Sequence, residues 1–567
     1  MKKYRRFFPI IWVCVFLLSI SSSEASPVFK HKQSRAFSKS AATAPGKTLY
    51  IDTYSADLTI TASDENAVTV EAVVEASDED EEVVKYFLAE TQLFLEPYAD
   101  GLRLRLSSPM DELRKPGKPP KEGIYRRFYK GNKFVFQLSY SARLTIRVPA
   151  RHNLEVENAY GNILIGGVEG DLHVANRSGK VRLDKCGGKL ELHNSYDRVE
   201  IPGFKGPINI KNPSGEVEVR DAEGDVHVEN SYAPVLFDTI GGSLTISSKS
   251  GKVTGSNIKG DCEITSSYEE IDVREVKGRL TIKGPSCKVT AQDITLDAHI
   301  ENGYSPVSVA HIGGILRVES GSSAVTADDI GGDAFIRSSY DAIILSNVHG
   351  SAEIESPSSS VSVREVDGNV TIVSSYNSVV VAGVGGWLDV RSQSAGVKAS
   401  DIKKDASIIT SYDRVEVSGV GGNLRVDGSS SSIQAEDIAG DVSVKNSYGS
   451  AVLRRTSGSI EVHGSSSRIE VKQIKNLPKN SRIELLTTYE PVILTLPEGA
   501  DVVISVLPGG NISSEFPVYH VKSQAQKLEA ELAKGGVTVY IQTSGSISIK
   551  SSRITIKEKQ REVSPVC

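Results

Sequence analysis

Between His152 and Lys475 the hydrophobic residues fall on a fixed lattice of 18 positions. The span holds 324 residues, which is 18 units of 18, with no insertion or deletion. Units are counted from the glycine that usually opens them (Gly170, Gly188, Gly206, Gly224). Positions 3, 5 and 12 are apolar in every unit, and positions 14 and 17 fail once each, at Gly255 and Thr456. Position 5 is always Val, Ile or Leu, and position 12 is Val or Ile except at Ala451. The pairs 3/5 and 12/14 enclose mostly polar residues. That is the period of two that sends alternate side chains to opposite faces of a strand, and it excludes helix. The opening glycine, and the glycine after serine in Ser178-Gly179, Ser214-Gly215 and Ser250-Gly251, suit turns where φ is positive. Each unit therefore predicts a coil of two short strands plus a third apolar segment near position 17.

A second pattern overlies the first. Tyrosine recurs 36 residues apart at Tyr160, Tyr196, Tyr232, Tyr268, Tyr304, Tyr340, Tyr376, Tyr412 and Tyr448, with serine halfway between each pair. Position 7 is Asn in five consecutive units, Asn158, Asn176, Asn194, Asn212 and Asn230, which predicts amides bonding from coil to coil. Position 14 alternates large and small across Phe237, Gly255, Val273, Ala291, Val309, Ala327 and Leu345, as if neighbouring coils interlock. One such coil cannot bury its own apolar face, but stacked coils make each column continuous and give every strand a neighbour. The predicted fold is all-β: a single elongated parallel β-solenoid, some 85 Å long for 18 coils at ~4.8 Å spacing. Right-handed winding is expected, since apolar spacings of 2, 7, 2, 3 and 4 lack the six-residue period of left-handed hexapeptide helices. A propeller of 36-residue blades is the competing all-β arrangement. The likeness of the two 18-residue halves argues against it, because inner and outer blade strands face different surroundings.

The flanks read as covers for the open ends of such a stack. Residues 46–151 form an expected N-terminal cap of strands (LYIDTYSADLTI, AVTVEAVVEA, LFLEPYADGLRLRL, ARLTIRVPA) around a helix in SDEDEEVVKYFLAETQ with an acidic first turn. After Lys475 the lattice breaks and Tyr489 arrives five residues late. Residues 476–567 predict a continuation and cap, with strands in EPVILTLPEG, DVVISVLPGG and VTVYIQTSGSISIKS and a helix in KSQAQKLEAELAKGG. The opening GKTLYIDTYSADLTI, the junction LTIRVPARHNLEVENAYGNILIGGVEGDLHV and the closing YIQTSGSISI resemble the bacterial putative-adhesin β-solenoid family, a domain class of unknown function. The resemblance implies an exported or envelope-associated, non-catalytic protein and supplies no active residues. The regular Tyr/Ser alternation departs from it.

Composition adds a compartment. MKKYRRFF is a basic segment, Pro9 to Ile20 an apolar core and SSSEAS a small-residue site, together a secretory signal peptide (1–25) cleaved after Ala25, followed by a linker over 26–45. The whole chain carries a net charge of -6, and loss of Lys2, Lys3, Arg5, Arg6 and Glu24 leaves about -9, too acidic for a general polyanion binder. No apolar run reaches the ~18 residues of a membrane-spanning helix. Export permits disulfides. Yet Cys186 and Cys262 occupy columns otherwise aliphatic and are expected as buried small hydrophobes. They lack CxxC spacing, so no metal is expected.

Candidate chemistry is sparse. Position 16 carries Asp221, Asp293, Asp329, Glu365, Asp401 and Asp437, two or more coils apart and so roughly 10 Å or more from one another. Such a row reads as a solvated corner, not as the converging carboxylates of a glycosidase. His173, His227 and His299 share position 4 at least three coils apart, and His193 neighbours only His173. No nucleophile-elbow, phosphate-loop or zinc-helix motif occurs. Two binding features remain. The nine tyrosines could stack on sugar rings of an extended glycan or cover the serine corners beside them. Residues 114–133, with Arg126, Arg127 and Lys130 among eight basic side chains, could meet an anionic polymer or pair with the acidic run Asp78 to Glu82. The expectation is an exported structural or adhesion-type rod, periplasmic or at the cell surface. Its expected partner is a glycan, another envelope polymer or a protein, and it has no cofactor and no nucleic-acid role. The alternative is a carbohydrate-active β-helix that binds or cleaves polysaccharide.

Overall fold

The computed structural model describes residues 30–110, 129–130, 133–134, 138–508, 510–515, 520–524, 527–532 and 536–552. The leader expected at 1–25, Arg126, Arg127 and Cys567 lie outside them. Among the described residues no helix is long and apolar enough to cross a membrane.

The chain is a parallel β-solenoid of 18-residue coils. Strand residues pair with those 18 further on, as in Ile282↔Ile300 and Val289↔Val307, and this register runs through the rod. The five predicted columns are the core. Every apolar residue on them is buried, from Leu154 at the first coil to Ile474 at the last, and none is more than 6% exposed. Polar residues at positions 4 and 13 face outward, as strand alternation requires.

Two details of the coil went beyond the lattice, and a third matches it. Position 16 adopts positive φ in every unit, from Gly167 (71°) and Lys185 (53°) to Arg455 (49°) and Gln473 (53°). The second strand bends there, so position 17 continues it around the corner. The frequency of Asp, Asn and Gly at position 16 follows from their tolerance of the left-handed region. Position 2 holds Asp or Asn in most coils, and its side chain accepts the backbone N–H of position 2 in the next coil. Asp171 Oδ1 takes Lys189 N at 2.9 Å, Asp261 takes Arg279 N at 2.8 Å and Asp405 takes Asn423 N at 2.7 Å. Phe237 and Gly255 interlock as the size alternation predicted. A Cβ on Gly255 would stand 2.1 Å from Phe237 O and 2.4 Å from its ring.

The ends are built differently. β1 (His31–Ala42), expected as part of a linker, is a 12-residue strand. Its Phe37 packs on the core, with the Arg35 guanidinium 4.6 Å from the ring centre. β2 (Thr48–Asp52) and β3 (Asp57–Ser63) stack beneath the first coil in register, Leu49↔Leu154 and Leu58↔Ile163. β4 (Ala67–Asp78) runs antiparallel to β1, then α1 (Glu81–Glu90) follows with Asp80 as its N-cap and Glu81 and Glu82 in its first turn. β5 (Gln92–Tyr98) and β6 (Gly101–Ser107) form a hairpin. β6 and Ser139–Pro149 make the layer below β2 and β3.

At the far end Arg482–Leu486 and Val492–Pro497 resume the stack, Ile460↔Ile483 and Ile469↔Val492, so the late arrival of Tyr489 is a loop of five extra residues. The next layer in space is not the next in sequence. Val537–Thr543 and Ile547–Ser552 sit directly on that layer, and Val502–Pro508 and Ile512–Ser514 lie outside them. The helix expected in KSQAQKLEAELAKGG is instead two antiparallel strands, His520–Gln524 and Lys527–Leu532. The open edge of Val502–Pro508 supplies the reason. Leu528, Ala530 and Leu532 stand opposite Val506, Ile504 and Val502, so a spacing of two with a strand partner overrides local helix propensity.

Candidate functional site: an exposed tyrosine row

Position 9 lies at the corner between the two apolar pairs of a coil, and the structure places all nine predicted tyrosines there at the surface, with the Tyr160 ring 5.3 Å from that of Tyr54. Exposure runs from 40% at Tyr160 to 74% at Tyr304. Tyr489, 70% exposed, stands in register with Ser466 and makes a tenth. Serine occupies the intervening turns and continues past the rod. Ser55 bridges Tyr160 at one end, and Ser544 bonds to Thr488 O at the other. Successive rings are two strand spacings, about 9.6 Å, apart.

The turn backbone fixes that spacing. The N–H of Tyr232, Tyr268, Tyr304 and Tyr376 each donates to the position-8 carbonyl of the preceding coil (Pro213, Lys249, Pro285, Pro357) at 3.1 Å. Serine turns bond back the same way, as in Ser250 N to Ser231 O at 2.7 Å. The Asn column serves the same turns, which corrects the expected amide-to-amide ladder. Asn194 Nδ2 donates to Gly179 O (3.3 Å) and Asp197 O (2.8 Å), and Asn230 Nδ2 to Gly215 O (2.8 Å). Asn302, Ser338, Thr410 and Asn446 continue that role at the same position. Buried turn carbonyls need donors, and a short side chain on the last inward position of the first strand reaches them.

The two turn types differ in a way that the tyrosine pattern alone did not reveal. In serine coils position 10 points inward: Cys287, Ser323, Ser359, Ala395, Ser431 and Ser467 are at most 1% exposed. In tyrosine coils that position is at the surface, with Glu269, Asn377 and Asp413 at positive φ. A small residue tucked under the turn thus accompanies serine, and an outward residue accompanies tyrosine. The detectable signal was the small-residue bias at position 10 of alternate units.

The remaining candidates stay separate. Among the position-16 carboxylates, Asp437 pairs with Arg455 (2.7 Å) and Lys475 (2.5 Å), and Asp293 lies 3.0 Å from His311. Glu218, only 4% exposed, is held by Arg198 and Arg220. The His173 and His193 rings are 6.2 Å apart. Among the described residues no three His, Cys, Asp or Glu side chains converge on a metal position. Cys186, Cys262 and Cys287 are buried and free, and burial pushes the Cys262 thiol up to about 12. Lys130 lies in a two-residue strand, Tyr129–Lys130, paired with Lys133–Phe134. Within the acidic run Glu81 and Glu82 pair with Lys85 of their own helix at 3.0 and 3.7 Å.

No protein-family model matches this chain, and no curated protein does. A solved structure from Clostridium sporogenes, described as a putative cell adhesion protein, aligns with 44% of this chain and 100% of its own at 9% identity and a TM-score of 0.15. A likeness at that level carries no argument about function.

Proposed function

We propose that this chain is an exported, non-catalytic rod that presents its tyrosine row to an extended polymer of the cell envelope, acting as a structural or adhesion module. The observation that supports this is the row itself: ten rings at one turn, 40–74% exposed, with Tyr232, Tyr268, Tyr304 and Tyr376 each bonded through the backbone to the coil before. A ring that served only to cover the neighbouring serine would lose most of its accessible surface, as the core aromatics Phe87 and Phe204 do at 0% and 1% exposure. Tyrosine suits a wet polymer surface because it offers a flat apolar face and a hydroxyl at little conformational cost. A period of about 9.6 Å is close to the rise of one disaccharide in an extended β-1,4-linked chain. Carboxylates in the rod, such as Asp437 and Glu218, are held by cations or spread along a corner, which supports presentation rather than hydrolysis.

The test is co-sedimentation with insoluble peptidoglycan, cellulose and chitin, comparing wild type with the triple variant Tyr268→Ala, Tyr304→Ala, Tyr340→Ala. The expected result is retention of wild type on at least one polymer and its loss in the variant at unchanged Tm. Unchanged retention would remove the row from the binding surface. A matching fall in Tm would assign the rings to packing.

A further inference from the structure

The outer face of the first-strand sheet is a mixed-charge surface with several hollows, and the one toward the C-terminal end of the rod encloses about 730 Å³, within the range of small-ligand sites. It spans five coils, from Trp387 to Glu461, a length of about 19 Å at strand spacing. Its cause is local. Position 4 alternates Asp389, Ser407, Arg425, Ser443 and Glu461, and the two serines leave the floor low between longer neighbours. Trp387 takes position 2, where most coils carry the Asp or Asn cap. Its own N–H is still received by Asn369 Oδ1 at 3.1 Å, but an indole has no acceptor for the next N–H.

Trp387 and Ile409 are each 41% exposed. Elsewhere on this face an aromatic residue is covered, Phe335 by the Arg317 guanidinium 4.9 Å from its ring centre. Four residues along from Trp387, Arg391 is held at 2.9 Å by Asp389, whose side chain is 18% exposed, and keeps further donors toward solvent.

We propose that this hollow binds a neutral oligosaccharide of about four pyranose rings, one stacked on Trp387 and the others bonded by Arg391, Asp389, Ser407 and Arg425. Three features select that class. The lining carries four acidic and three basic side chains, a near balance that suits neither a polyanion nor a polycation. An aromatic face beside forked polar groups matches a sugar ring, which has an apolar face and a hydroxyl edge. An extended peptide would have no main-chain partner, because the strand N–H groups of Leu388, Ala406, Leu424 and Val442 are all bonded to the following coil at 2.8–2.9 Å. The site is independent of the tyrosine turn, being on the sheet face.

Trp12 and Trp387 are the two tryptophans, so the full chain carrying Trp12→Phe reports the site through Trp387 emission alone. Cellotetraose, chitotetraose and maltotetraose are titrated to roughly 10 mM, where millimolar affinity saturates. The expected result is a saturable emission change with at least one of them. It weakens about tenfold or more in Arg391→Ala. It disappears in Ser407→Arg at unchanged Tm, and it survives in the triple tyrosine variant. No saturable change with any tetrasaccharide overturns the proposal. So does an equal response in Ser407→Arg, or saturation by heparin or by a tryptic casein peptide mixture in place of the sugars.

Discussion

The rod and its two ends use the same strands and the same inward columns, yet they solve the edge problem in different ways. In the rod, stacking order is chain order, and each coil meets the next through an 18-residue offset, as at Ile354↔Ile372. At the ends stacking order departs from chain order. Val537–Ser552 is inserted between Arg482–Pro497 and Val502–Ser514, and the layer of β2 and β3 separates Ser139–Pro149 from the first coil. Both ends then finish in antiparallel strands, β1 on β4 and β5 on β6 at one, Lys527–Leu532 with His520–Gln524 at the other. A repeated coil supplies its successor with an identical edge. A terminal coil has no successor, so closure has to come from distant chain.

The largest expected effect tests the common columns. Ile300 is fully buried at position 5 in mid-rod, and Ile300→Asp should cost about 4 kcal/mol or more, read as loss of the cooperative thermal transition. An unchanged Tm would break the register assigned here.

Next comes the contrast itself. Excision of residues 314–349, one tyrosine coil and one serine coil, should leave a folded protein shortened by about 10 Å in small-angle scattering. A chain ending at Gly536, which lacks the inserted layer, should expose two sets of strand edges and self-associate in light scattering. If excision aggregated and truncation did not, the ends would not be the closing devices.

A smaller effect sharpens the rod side. Gly255→Val places a side chain against Phe237 and should cost about 1–3 kcal/mol in chemical denaturation. Phe237→Ala in the same chain should recover part of the ring overlap but not the backbone contact. Full recovery or none would locate the interlock elsewhere.

The smallest effect sits at the junction. His152 is fully buried beside the N-terminal cap, neither ring nitrogen has a hydrogen-bond partner, and burial holds its pKa below the usual 6.5. The unfolded chain therefore binds a proton there before the folded one does. The stability contributed by the neutral ring is complete above the unfolded pKa of about 6.5 and is lost as pH falls toward the folded value. Between pH 7.5 and 5, wild type should lose more Tm than His152→Leu. Equal losses would clear His152 of any part in the pH response.

Most of the rod could be read from residue order because its information is local and repeated. The columns at positions 3, 5, 12, 14 and 17 set strand faces, and absence of insertions set the register. The tyrosine row was visible for the same reason. Trp387 was not, since one aromatic residue at one unit has no period. The hollow beside it depends on Ser407 and Ser443 standing next to Asp389 and Arg425 across coils. The strand fate of Lys527–Leu532 was hidden because its helix-like composition competes with a partner strand more than 20 residues away, Val502–Pro508.

By itself the sequence determined that this protein is a stack of 18-residue coils with a regular Tyr/Ser turn, because burial of an alternating face and parity of register follow from short-range spacing alone. Only the tertiary structure decided which turn residue faces water, what the Asn column bonds to, and how both ends close. Those outcomes depend on which backbone groups and surfaces meet across coils. Such meetings are set by chain folding, not by the order of neighbours along it.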